Sequence, residues 1–347
     1  MIDRAIRRLI DRHDLERAET YDVFSEMMEG EASDVQKSAF LVALRMKGET
    51  DEEITGAALA MRERVTPLPT DRSDLIDTCG TGGDGHGTFN VSTLAAIVAA
   101  GGGATVAKHG NRAVSSACGS ADVLAALGVN IELNAAEMVE VLEKAGIAFL
   151  FAPQLHPAMR SVAAVRRELG IRTVFNVLGP LTNPAFTRRQ VVGVYAASLV
   201  ETVARVLNAL GAEHALVVHS RDGLDEISVS APTVVSEVRD GSVRTFEITP
   251  EQLGVATHLR DAVGGGAAAE NAAIARAVLE GAGGAQRDIV AANAGAALYV
   301  AGIAATIREG VDRAKDSLSG GHADAALQRL IAASNGFGRQ GAASPAS

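Results

Sequence analysis

The sequence predicts an α/β protein in two parts: a small all-helical N-terminal domain and a larger α/β domain with a central, mostly parallel mixed sheet flanked by helices. Three observations lead to this prediction. Residues 1–66 show helix caps and helical apolar spacing but no strand pattern. From about residue 74, short apolar runs alternate with helical stretches, as they do around parallel sheets. Residues 227–248 alternate polar and apolar side chains around a hairpin turn at Asp240-Gly241, which adds antiparallel strands.

Two capping boxes organise the predicted N-terminal helices. Ser33 stands three residues before Gln36, and Thr50 stands three residues before Glu53. In each pair the hydroxyl accepts a hydrogen bond at the helix start and the longer side chain reaches back. Gly48 ends the first of these two helices. The apolar stripes of such helices suit a dimer surface or packing within the chain equally well.

The domain limits are placed where these patterns change. We expect a helical domain at 1–72, joined by part of 160–190, because residues 153–189 interrupt the sheet pattern and contain several helix breakers. The α/β domain then spans 73–347, with a loose tail at 336–347.

The elements of the α/β domain alternate along the chain. Helices are expected to dominate from 270 to 333. Ser120 and Asn134 are expected to cap the helices that follow them. Before residue 220, strands are predicted at 75–76, 104–107, 147–151, 191–195 and 215–219, and helices at 91–100, 121–127, 135–144 and 199–210.

The composition limits the classes of function. Of 347 residues, 47% are hydrophobic, which allows a sizeable core, but only 3% are aromatic and none is Trp, so base-stacking platforms are scarce. A net charge of −10 argues against broad binding to nucleic acid or anionic membrane. Two cysteines without zinc-ligand spacing, and no signal region or long apolar run, predict a cytoplasmic protein without nucleic-acid or membrane partners.

A glycine-rich stretch after the first strand of the α/β domain predicts an anion site. Glycines at 80, 82, 83, 85 and 87 are followed by Asn90, Ser92 and Thr93, and then by an alanine-rich helix. Glycine lets backbone N–H groups approach a ligand closely. A helix N-terminus adds unpaired N–H groups and a partial positive charge. A plain tight turn needs one or two glycines rather than five, so residues 80–93 are interpreted as a phosphate cradle.

The same loop matches the dinucleotide fingerprint Gly-x-Gly-x-x-Gly at Gly80, Gly82 and Gly85. Two features disfavour that interpretation. The helix does not begin at the third glycine, and the next strand leads into Lys108 rather than into an acid that holds a ribose hydroxyl. A P-loop is also excluded, because no Gly-Lys-Ser/Thr follows the glycines. A dehydrogenase is therefore the weakest alternative.

Lys108 ends the second predicted strand and begins a polar loop at 108–116. The carboxyl ends of neighbouring parallel strands face one crevice, so this loop and residues 80–93 are expected to converge. Together they offer backbone N–H groups, hydroxyls, Lys108, Asn111 and Arg112, which is enough for a ligand with two phosphate groups. Taken alone, Lys108 would suit an ordinary solvated surface position equally well.

Asp225 and Glu226 follow a predicted strand and a glycine turn. Adjacent carboxylates at a strand end suit Mg²⁺, which takes a few carboxylates together with water and phosphate oxygens. Ser92 can add a hydroxyl ligand. A charged turn is the alternative, and it is the commoner setting for an isolated Asp-Glu pair. The histidines show no metal-ligand spacing.

Arg166 lies within a helical run that is rich in apolar residues. Its guanidinium can clamp a substrate carboxylate with two parallel hydrogen bonds. A salt bridge to a neighbouring acid is the alternative that the sequence leaves open.

Taken together, these motifs resemble the anthranilate phosphoribosyltransferases of tryptophan biosynthesis. One small departure is Ser220-Arg221, where smaller residues are expected, and the tail after Gly336 is not covered. The resemblance implies a helical and an α/β domain joined by hinge segments, and a homodimer formed through the helical part. The matching segments, in family order and spacing, are 77–85 (DTCGTGGDG), 90–93 (NVST), 108–112 (KHGNR) with Ser115-Ser116, 119–122 (GSAD), 156–159 (HPAM), 176–184 (NVLGPLTNP) and 222–226 (DGLDE).

The resemblance also implies roles for individual residues. Two Mg²⁺ ions would be held by Ser92, Asp225 and Glu226. Anthranilate would contact Gly80, Asn111, Arg166 and His156. No residue would act as a nucleophile, and His109 and Asn111 would position the substrates. The site for phosphoribosyl pyrophosphate (PRPP) would be lined by Gly80, Gly83, Asp84, Thr88, Asn90, Val91, Ser92, Thr93, Lys108, His109, Gly110, Asn111, Arg112, Ala113, Val114, Ser115, Ser116 and Ser120.

The implied reaction is a Mg²⁺-assisted displacement. The amine of anthranilate attacks C1 of the ribose, inverts that carbon and releases pyrophosphate. Because an aromatic amine is neutral at pH 7, positioning and electrostatics suffice without a covalent enzyme intermediate. Two alternatives remain open: a pyrimidine nucleoside phosphorylase of the same architecture, in which the Asp-Glu pair is not expected, and a non-enzymatic nucleic-acid-binding homologue, which the negative charge disfavours.

Overall fold

A computed structural model describes residues 1–113 and 117–337 of the chain. Val114, Ser115 and Ser116 of the predicted PRPP site lie outside the described residues, as do residues 338–347 of the predicted tail. Within the described ranges, no helix is both long enough and apolar enough to cross a membrane.

The helices and strands follow one another as the alternating sequence patterns predict. The strands are β1 (Leu75–Thr78), β2 (Thr105–Gly110), β3 (Ile147–Phe151), β4 (Arg189–Gly193), β5 (His214–Ser220), β6 (Thr233–Arg239) and β7 (Ser242–Ile248). The helices are α1 (Ile2–Ile10), α2 (Arg17–Glu29), α3 (Asp34–Lys47), α4 (Asp51–Arg62), α5 (Val91–Gly101), α6 (Ser120–Leu127), α7 (Ala135–Ala145), α8 (Ala152–Leu155), α9 (Arg160–Leu169), α10 (Phe175–Leu181), α11 (Leu199–Ala209), α12 (Pro250–Leu253), α13 (Ala268–Leu279), α14 (Ala285–Val300), α15 (Ile307–Ser319) and α16 (His322–Asn335).

The chain begins with four helices, and both predicted capping boxes form. The Ser33 hydroxyl accepts from the backbone N–H of Gln36 at 3.3 Å, and the Thr50 hydroxyl accepts from that of Glu53 at 3.2 Å. Helix α9 packs against α2 and α3, and α10 packs against α4. The segment that interrupts the sheet pattern therefore shares a core with the N-terminal helices. The domain limits at 72 and within 160–190 stay a prediction.

Seven strands form one sheet in the order β3-β2-β1-β4-β5-β6-β7. Strands β1 to β5 pair in parallel, whereas β6 pairs antiparallel with β5 and β7. The predicted fold class, with its mostly parallel mixed sheet, is confirmed. Because the chain winds outward in one direction from β1 and in the other from β4, the strand order reverses between these two neighbours. Ligands of open α/β sheets bind outside the carboxyl ends of the strands at such a reversal.

Both faces of the sheet are covered, as the alternation of side chains along its strands requires. Val191, Leu216 and Val218 belong to the apolar core that includes α5 and α14. Their neighbours Val192 and Val217 belong to the core that includes α11 and the N-terminal helices. The N-terminal helices, α9 and α10 therefore share one apolar core with this face of the sheet.

The structure corrects two strand predictions. Strand β4 covers Arg189–Gly193 rather than 191–195, and residues 227–232 lie outside the strands although Ile227 and Val229 suggested one. Ile227 is buried because its turn is pinned to α14. The Asn293 amide accepts from the N–H of Ile227 at 3.0 Å and donates to its carbonyl at 2.9 Å. Buried residues in a fixed turn can thus give the same alternation of apolar and polar residues as a strand.

Helices α14 and α15 behind the sheet approach each other through glycines. A Cβ at Gly295 would collide with the backbone nitrogen of Val311, and a Cβ at Gly310 would collide with the carbonyl oxygen of Gly295. No side chain fits between these two backbones. The contact fixes α14, whose Asn293 holds the turn that follows Asp225 and Glu226.

We expect Gly295→Ala to lower the free energy of unfolding by about 1–3 kcal/mol, the usual cost of overpacking. Alanine gains up to about 1 kcal/mol over glycine in a helix, so a net loss can be assigned to the collision. Urea unfolding measures the change. Gly283→Ala, in the loop before α14, is the control for an added methyl group, since nothing in the described part of the chain lies within 4 Å of its added Cβ. Equal stability of the two variants would show that the helices can separate freely.

Candidate active site

The glycine loop follows β1 at the reversal of strand order. Gly82, Gly83, Gly85 and Gly87 all have φ between +62° and +80°, a conformation that other residues rarely adopt. The loop is attached to the neighbouring strand at its start, where the N–H of Thr81 donates to the carbonyl of Gly193 at 2.8 Å. The predicted phosphate cradle therefore lies at the carboxyl ends of β1 and β4.

The Asp225–Glu226 turn packs directly on the end of β4. A Cβ at Gly193 would collide with the carbonyl oxygen of Asp225. A Cβ at Gly80 would lie 3.2 Å from Asp225 Oδ2. The carboxylates thus face the start of the glycine loop, although β5 ends at Ser220, five residues earlier.

The start of α5 joins the same cluster. The backbone N–H of Ser92 donates to Glu226 Oε1 at 3.1 Å, so this carboxylate accepts one of the unpaired N–H groups of the helix N-terminus. The Thr78 hydroxyl at the end of β1 donates to the Ser92 carbonyl at 3.0 Å. Ser92, Asp225 and Glu226 are therefore brought together, and the Ser92 side chain stays half-buried.

Three acidic side chains crowd this point. Burial raises the pKa of Asp225 to about 7, and the facing Asp84 carboxylate adds to the shift. Burial, and then the charge of Asp225, raise the pKa of Glu226 well above its usual range. Asp84 Oδ2 is buried and has no hydrogen-bond partner within the described residues.

This donor set fits a divalent cation that is completed by a ligand. The described ranges contain no group of three or more His, Cys, Asp or Glu arranged as a metal site by itself. Mg²⁺ commonly takes one or two carboxylates from a protein and its remaining ligands from phosphate and water. A divalent cation would stabilise the carboxylate oxygen that has no hydrogen-bond partner within the described residues. It would also stabilise the ionised forms of the two neighbouring groups whose pKa values are raised.

The loop after β2 approaches the cluster from the other side. Lys108 is buried, and its ammonium group donates to the Thr78 carbonyl at 2.6 Å. A Cβ at Gly110 would collide with the Ser120 hydroxyl. That hydroxyl accepts from the Asn111 N–H and donates to the Asn111 carbonyl, both at 3.2 Å. Ser120 is therefore not the predicted helix cap, because Gly119 holds the cap position of α6 and Ser120 braces the loop instead.

The rest of this loop is held by Asp122 of α6. Its carboxylate accepts from the N–H groups of Ala113 and Gly119, at 3.0 and 2.9 Å, and pairs with Arg112 at 3.2 Å. The two carboxylate oxygens of Asp122 thus hold the loop on both sides of residues 114–116. The Asn111 side chain accepts from the Arg112 N–H at 2.7 Å and is exposed.

His109 and His156 form a buried pair. His109 Nδ1 lies 3.1 Å from the Gly179 carbonyl, which only accepts, so Nδ1 carries the proton. His109 Nε2 then accepts from His156 Nε2, 3.1 Å away. Burial and the facing ring lower the pKa of His109 to about 3, and burial lowers that of His156 to about 4. Both rings are neutral near pH 7.

Arg166 lies on α9, with its guanidinium 5.2 Å from the centre of the Phe175 ring. Burial lowers its pKa. Within the described residues its side chain has neither a carboxylate partner nor a hydrogen bond. The alternative of an internal salt bridge is therefore not realised there, and the guanidinium donors remain available to a ligand.

Two residues at this site were not singled out in the sequence. Arg172 donates to the carbonyl of Gly83 and stacks 4.6 Å from the centre of the Tyr195 ring. Asn271 donates to Asn90 Oδ1 at 3.0 Å, while Asn90 donates to the Cys118 carbonyl at 3.2 Å. Asn90 thus links three segments rather than capping α5. In the sequence, the three glycines at 264–266 are the local sign of this contact. A Cβ at Gly265 would lie 2.5 Å from the backbone of Phe89, so this approach requires glycine.

A buried polar cluster supports the ends of β1 and β2. Asp77 is fully buried and accepts from the His109 N–H at 3.1 Å and from the Asn183 amide at 2.7 Å. Burial raises the pKa of Asp77 to about 6, against the opposing charge of Lys108. The cluster thereby fixes the backbone from which His109 and Lys108 project.

Asp77 makes stability depend on pH. Its folded pKa lies above the value of 3.8 in a free chain, so its contribution is complete below about pH 4 and is lost as the pH rises through about 6. At 1.36 kcal/mol per unit the loss amounts to about 3 kcal/mol. In urea unfolding between pH 4 and 7, the free energy of unfolding of the wild type relative to that of Asp77→Asn should fall by this amount, because the shifted pKa values of Asp225, Glu226, His109 and His156 are common to both proteins. Asp74→Asn, at an exposed position, should show no such fall relative to the wild type. A constant difference between the wild type and Asp77→Asn would show that Asp77 is ionised throughout.

Comparison with known proteins agrees with this geometry. The glycosyl transferase family helical bundle domain matches residues 3–65, and the glycosyl transferase family a/b domain matches residues 72–324. The chain is 56% identical over 294 residues to anthranilate phosphoribosyltransferase of Anaeromyxobacter sp. (strain Fw109-5), covering 85% of this chain and 87% of the relative. It is 52% identical over 334 residues to that of Herpetosiphon aurantiacus, covering 96% and 98%.

Solved structures give the same result. Anthranilate phosphoribosyltransferase from Thermus thermophilus superposes with a TM-score of 0.90 at 46% identity, over 95% of this chain and 99% of that chain. The enzyme from Saccharomyces cerevisiae in complex with PRPP and Mg superposes with a TM-score of 0.89 at 28% identity, over 97% and 98%. The chain belongs to the glycosyl transferase family and, within it, to the anthranilate phosphoribosyltransferases.

Proposed function

We propose that the chain transfers the phosphoribosyl group of PRPP to the amine of anthranilate, giving N-(5-phosphoribosyl)anthranilate and pyrophosphate, in tryptophan biosynthesis. The observation that carries the proposal is the junction of Ser92, Asp225 and Glu226 beside a glycine loop at the reversal of strand order. It joins the proposed metal ligands to the proposed anion cradle at one point. Family membership supports the same activity.

The pyrophosphate end of PRPP would lie against the glycine loop and the start of α5. Residues 80–93 present N–H groups and a helix N-terminus there, and the loop at 108–113 closes the other side. Mg²⁺ would be held by Ser92, Asp225 and Glu226, as two ions, and would neutralise the charge that develops on the departing pyrophosphate. The relative from Saccharomyces cerevisiae, solved in complex with PRPP and Mg, supports PRPP and Mg²⁺ as ligands.

Anthranilate would bind on the side of α9 and the histidine pair. Arg166 supplies guanidinium donors without an internal acid, which suits the carboxylate of the substrate. The neutral rings of His109 and His156 can pack beside an aromatic amine without removing protons from it. Gly80 lies against Asp225 Oδ2, where the two substrates would meet.

The reaction requires the protein mainly to position the two substrates. The amine of anthranilate is already neutral at pH 7, so its lone pair can attack C1 of the ribose while the bond to pyrophosphate breaks on the opposite face, which inverts the carbon. The nitrogen then loses one proton to the released pyrophosphate or to water. Holding both reactants in line can contribute about 7–11 kcal/mol. N–H groups of the glycine loop stabilise the departing oxygens because they are already oriented. No side chain needs to form a covalent bond.

We also propose a homodimer formed through the helical part. Val35, Val42 and Met46 are exposed and lie on one face of α3, at a spacing of seven and four residues. Ile10 of the adjoining α1 is exposed as well. A second copy of the chain would cover this apolar stripe. A cytoplasmic location is proposed on the ground that PRPP is a charged metabolite of the cell interior.

Replacing both carboxylates tests the activity together with its metal. Asp225→Asn with Glu226→Gln should lower the rate of pyrophosphate release from PRPP and anthranilate by about 100- to 1,000-fold, because a preorganised charge is lost at the transition state. A chelator should produce a similar loss in the wild type. Asp240→Asn, at an exposed hairpin carboxylate, is the control.

Two results would contradict the proposal. A double variant that folds and keeps both its rate and its Mg²⁺ dependence would remove the carboxylates from the metal site. Phosphate-dependent cleavage of a pyrimidine nucleoside, without turnover of anthranilate, would favour the nucleoside phosphorylase alternative.

Arg166→Ala should raise the KM for anthranilate by about 10- to 100-fold, the value of one or two charge-assisted hydrogen bonds. The KM for PRPP should change little, because Arg166 has no contact with the glycine loop in the part of the chain described. Steady-state kinetics with each substrate varied measures both values. Arg167→Ala, an exposed arginine on the same helix, is the matched control. An equal loss for both substrates would argue against a carboxylate clamp.

The dimer is tested by placing charge in the apolar stripe. Val42→Asp with Met46→Asp should shift the chain from dimer to monomer in sedimentation velocity, since two buried carboxylates per subunit would face each other. Leu259→Asp, at an exposed leucine outside the stripe, should leave the dimer intact. A wild-type chain that sediments as a monomer at all concentrations would refute this interface.

A further inference from the structure

A cavity of about 300 Å³ lies at the amino end of β4, on the edge of the sheet opposite the glycine loop. Its walls come from α4, from the segment that leads into β4 and from the end of α11. It is therefore built by both the helical part and the α/β part of the chain. Its polar residues are Arg62, Thr187, Arg188 and Gln190, and its main apolar residues are Phe186, Leu207 and Leu210.

Arg62 brings an uncompensated positive charge to this cavity. Its guanidinium donates to the carbonyls of Leu181 and Leu210, at 2.7 and 3.4 Å. Within residues 1–113 and 117–337 it forms no ion pair with a carboxylate. Burial lowers its pKa to about 10, so it stays charged at neutral pH. Buried guanidinium groups are usually paired, because desolvation of the charge is costly.

Thr187 provides a second unmatched polar group. The residue is 6% exposed, and its hydroxyl is buried without a hydrogen-bond partner in the described residues. Buried hydroxyls that lack a partner are uncommon in folded proteins. Arg188, beside it, already pairs with Glu213 at 2.9 Å and donates to the Gly211 carbonyl at 3.0 Å. Because the Thr187 hydroxyl is closed off from the cavity space, the charge that is available to a ligand comes from Arg62.

Phe186 forms an apolar wall in an unfavourable conformation. Its φ is +48°, in the left-handed region that bulky residues avoid, and its side chain is 43% exposed. Strained residues of this kind cluster at ligand clamps. Leu207 and Leu210 of α11 provide further apolar surface around the same space.

We propose that this cavity binds a small organic carboxylate with an apolar body, the carboxylate pairing with Arg62 and the body lying against Phe186, Leu207 and Leu210. An anion supplies the counter-charge that Arg62 lacks within the described residues. The apolar walls select a carboxylate with a hydrocarbon or aromatic body over inorganic phosphate. The volume is at the lower end of the range for small-molecule pockets. This inference does not depend on the proposed transferase activity.

Because the cavity lies between two parts of the chain, a bound ligand would have a structural effect. Arg62 lies in the part matched by the helical bundle domain, and the other named residues lie in the part matched by the a/b domain. A bound carboxylate would therefore join the two parts at the side opposite the active site. Because the ligand binds only the folded chain, it should also raise the midpoint of thermal unfolding.

The probe is 4-fluorobenzoate, observed by ¹⁹F NMR on the full chain, with neutral 4-fluorobenzamide as its control. The Arg166→Ala variant is used throughout, to remove binding at the proposed anthranilate site. Saturable broadening of the benzoate signal should persist in this variant, and the benzamide signal should broaden much less. Adding Arg62→Gln should weaken the benzoate affinity by about tenfold or more, the value of a charge-assisted hydrogen bond.

A second variant keeps the experiment decisive if Arg62→Gln impairs folding. Ala212→Phe fills the cavity and leaves the bonds from Arg62 to Leu181 and Leu210 in place. It should abolish the broadening in a chain whose circular dichroism is unchanged. The proposal is overturned if Arg166→Ala alone abolishes saturable binding, if Ala212→Phe binds as before, or if inorganic phosphate competes at equal concentration.

Discussion

The site depends on one backbone contact, in which Gly193 at the end of β4 packs against the carbonyl of Asp225. The contact leaves no room for a Cβ, so the turn at 223–226 lies directly on the strand end. From there Asp225 faces Gly80, and Glu226 accepts the N–H of Ser92. Three segments that are distant in the sequence therefore share one point. The reversal of strand order between β1 and β4 makes that point an open crevice.

Charge at this point is unbalanced in the protein alone. Asp84, Asp225 and Glu226 crowd together, and burial raises the pKa values of the last two. Lys108 is near and opposes the rise in the pKa of Glu226, but one ammonium group does not balance three carboxyl groups. A cation with phosphate ligands, as proposed, would relieve this repulsion, and the N–H groups of the glycine loop would then face an anion.

The sequence predicted the parts of this fold that follow from local patterns. Capping boxes at Ser33 and Thr50 and the apolar runs of the parallel strands have local physical causes, and the structure confirms them. The burial of Ile227 could not be predicted, because it depends on Asn293, 66 residues away. The bracing of Asn111 by Ser120 and the link from Asn271 to Asn90 are likewise tertiary. Residue chemistry predicted the phosphate cradle, the metal site at Asp225 and Glu226 and the carboxylate clamp at Arg166. Resemblance to a family supplied the substrates and the remaining roles, and all of these roles remain proposals.

The central claim is that Asp225, Glu226 and Ser92 hold the metal that binds the pyrophosphate end of PRPP. Crystals grown with PRPP and Mn²⁺, measured at the manganese absorption edge, test it most directly. The account predicts anomalous peaks within about 2.5 Å of carboxylate oxygens of Asp225 and Glu226, each also bound by a phosphate oxygen. Manganese bound only by phosphate and water, away from both carboxylates, would contradict it.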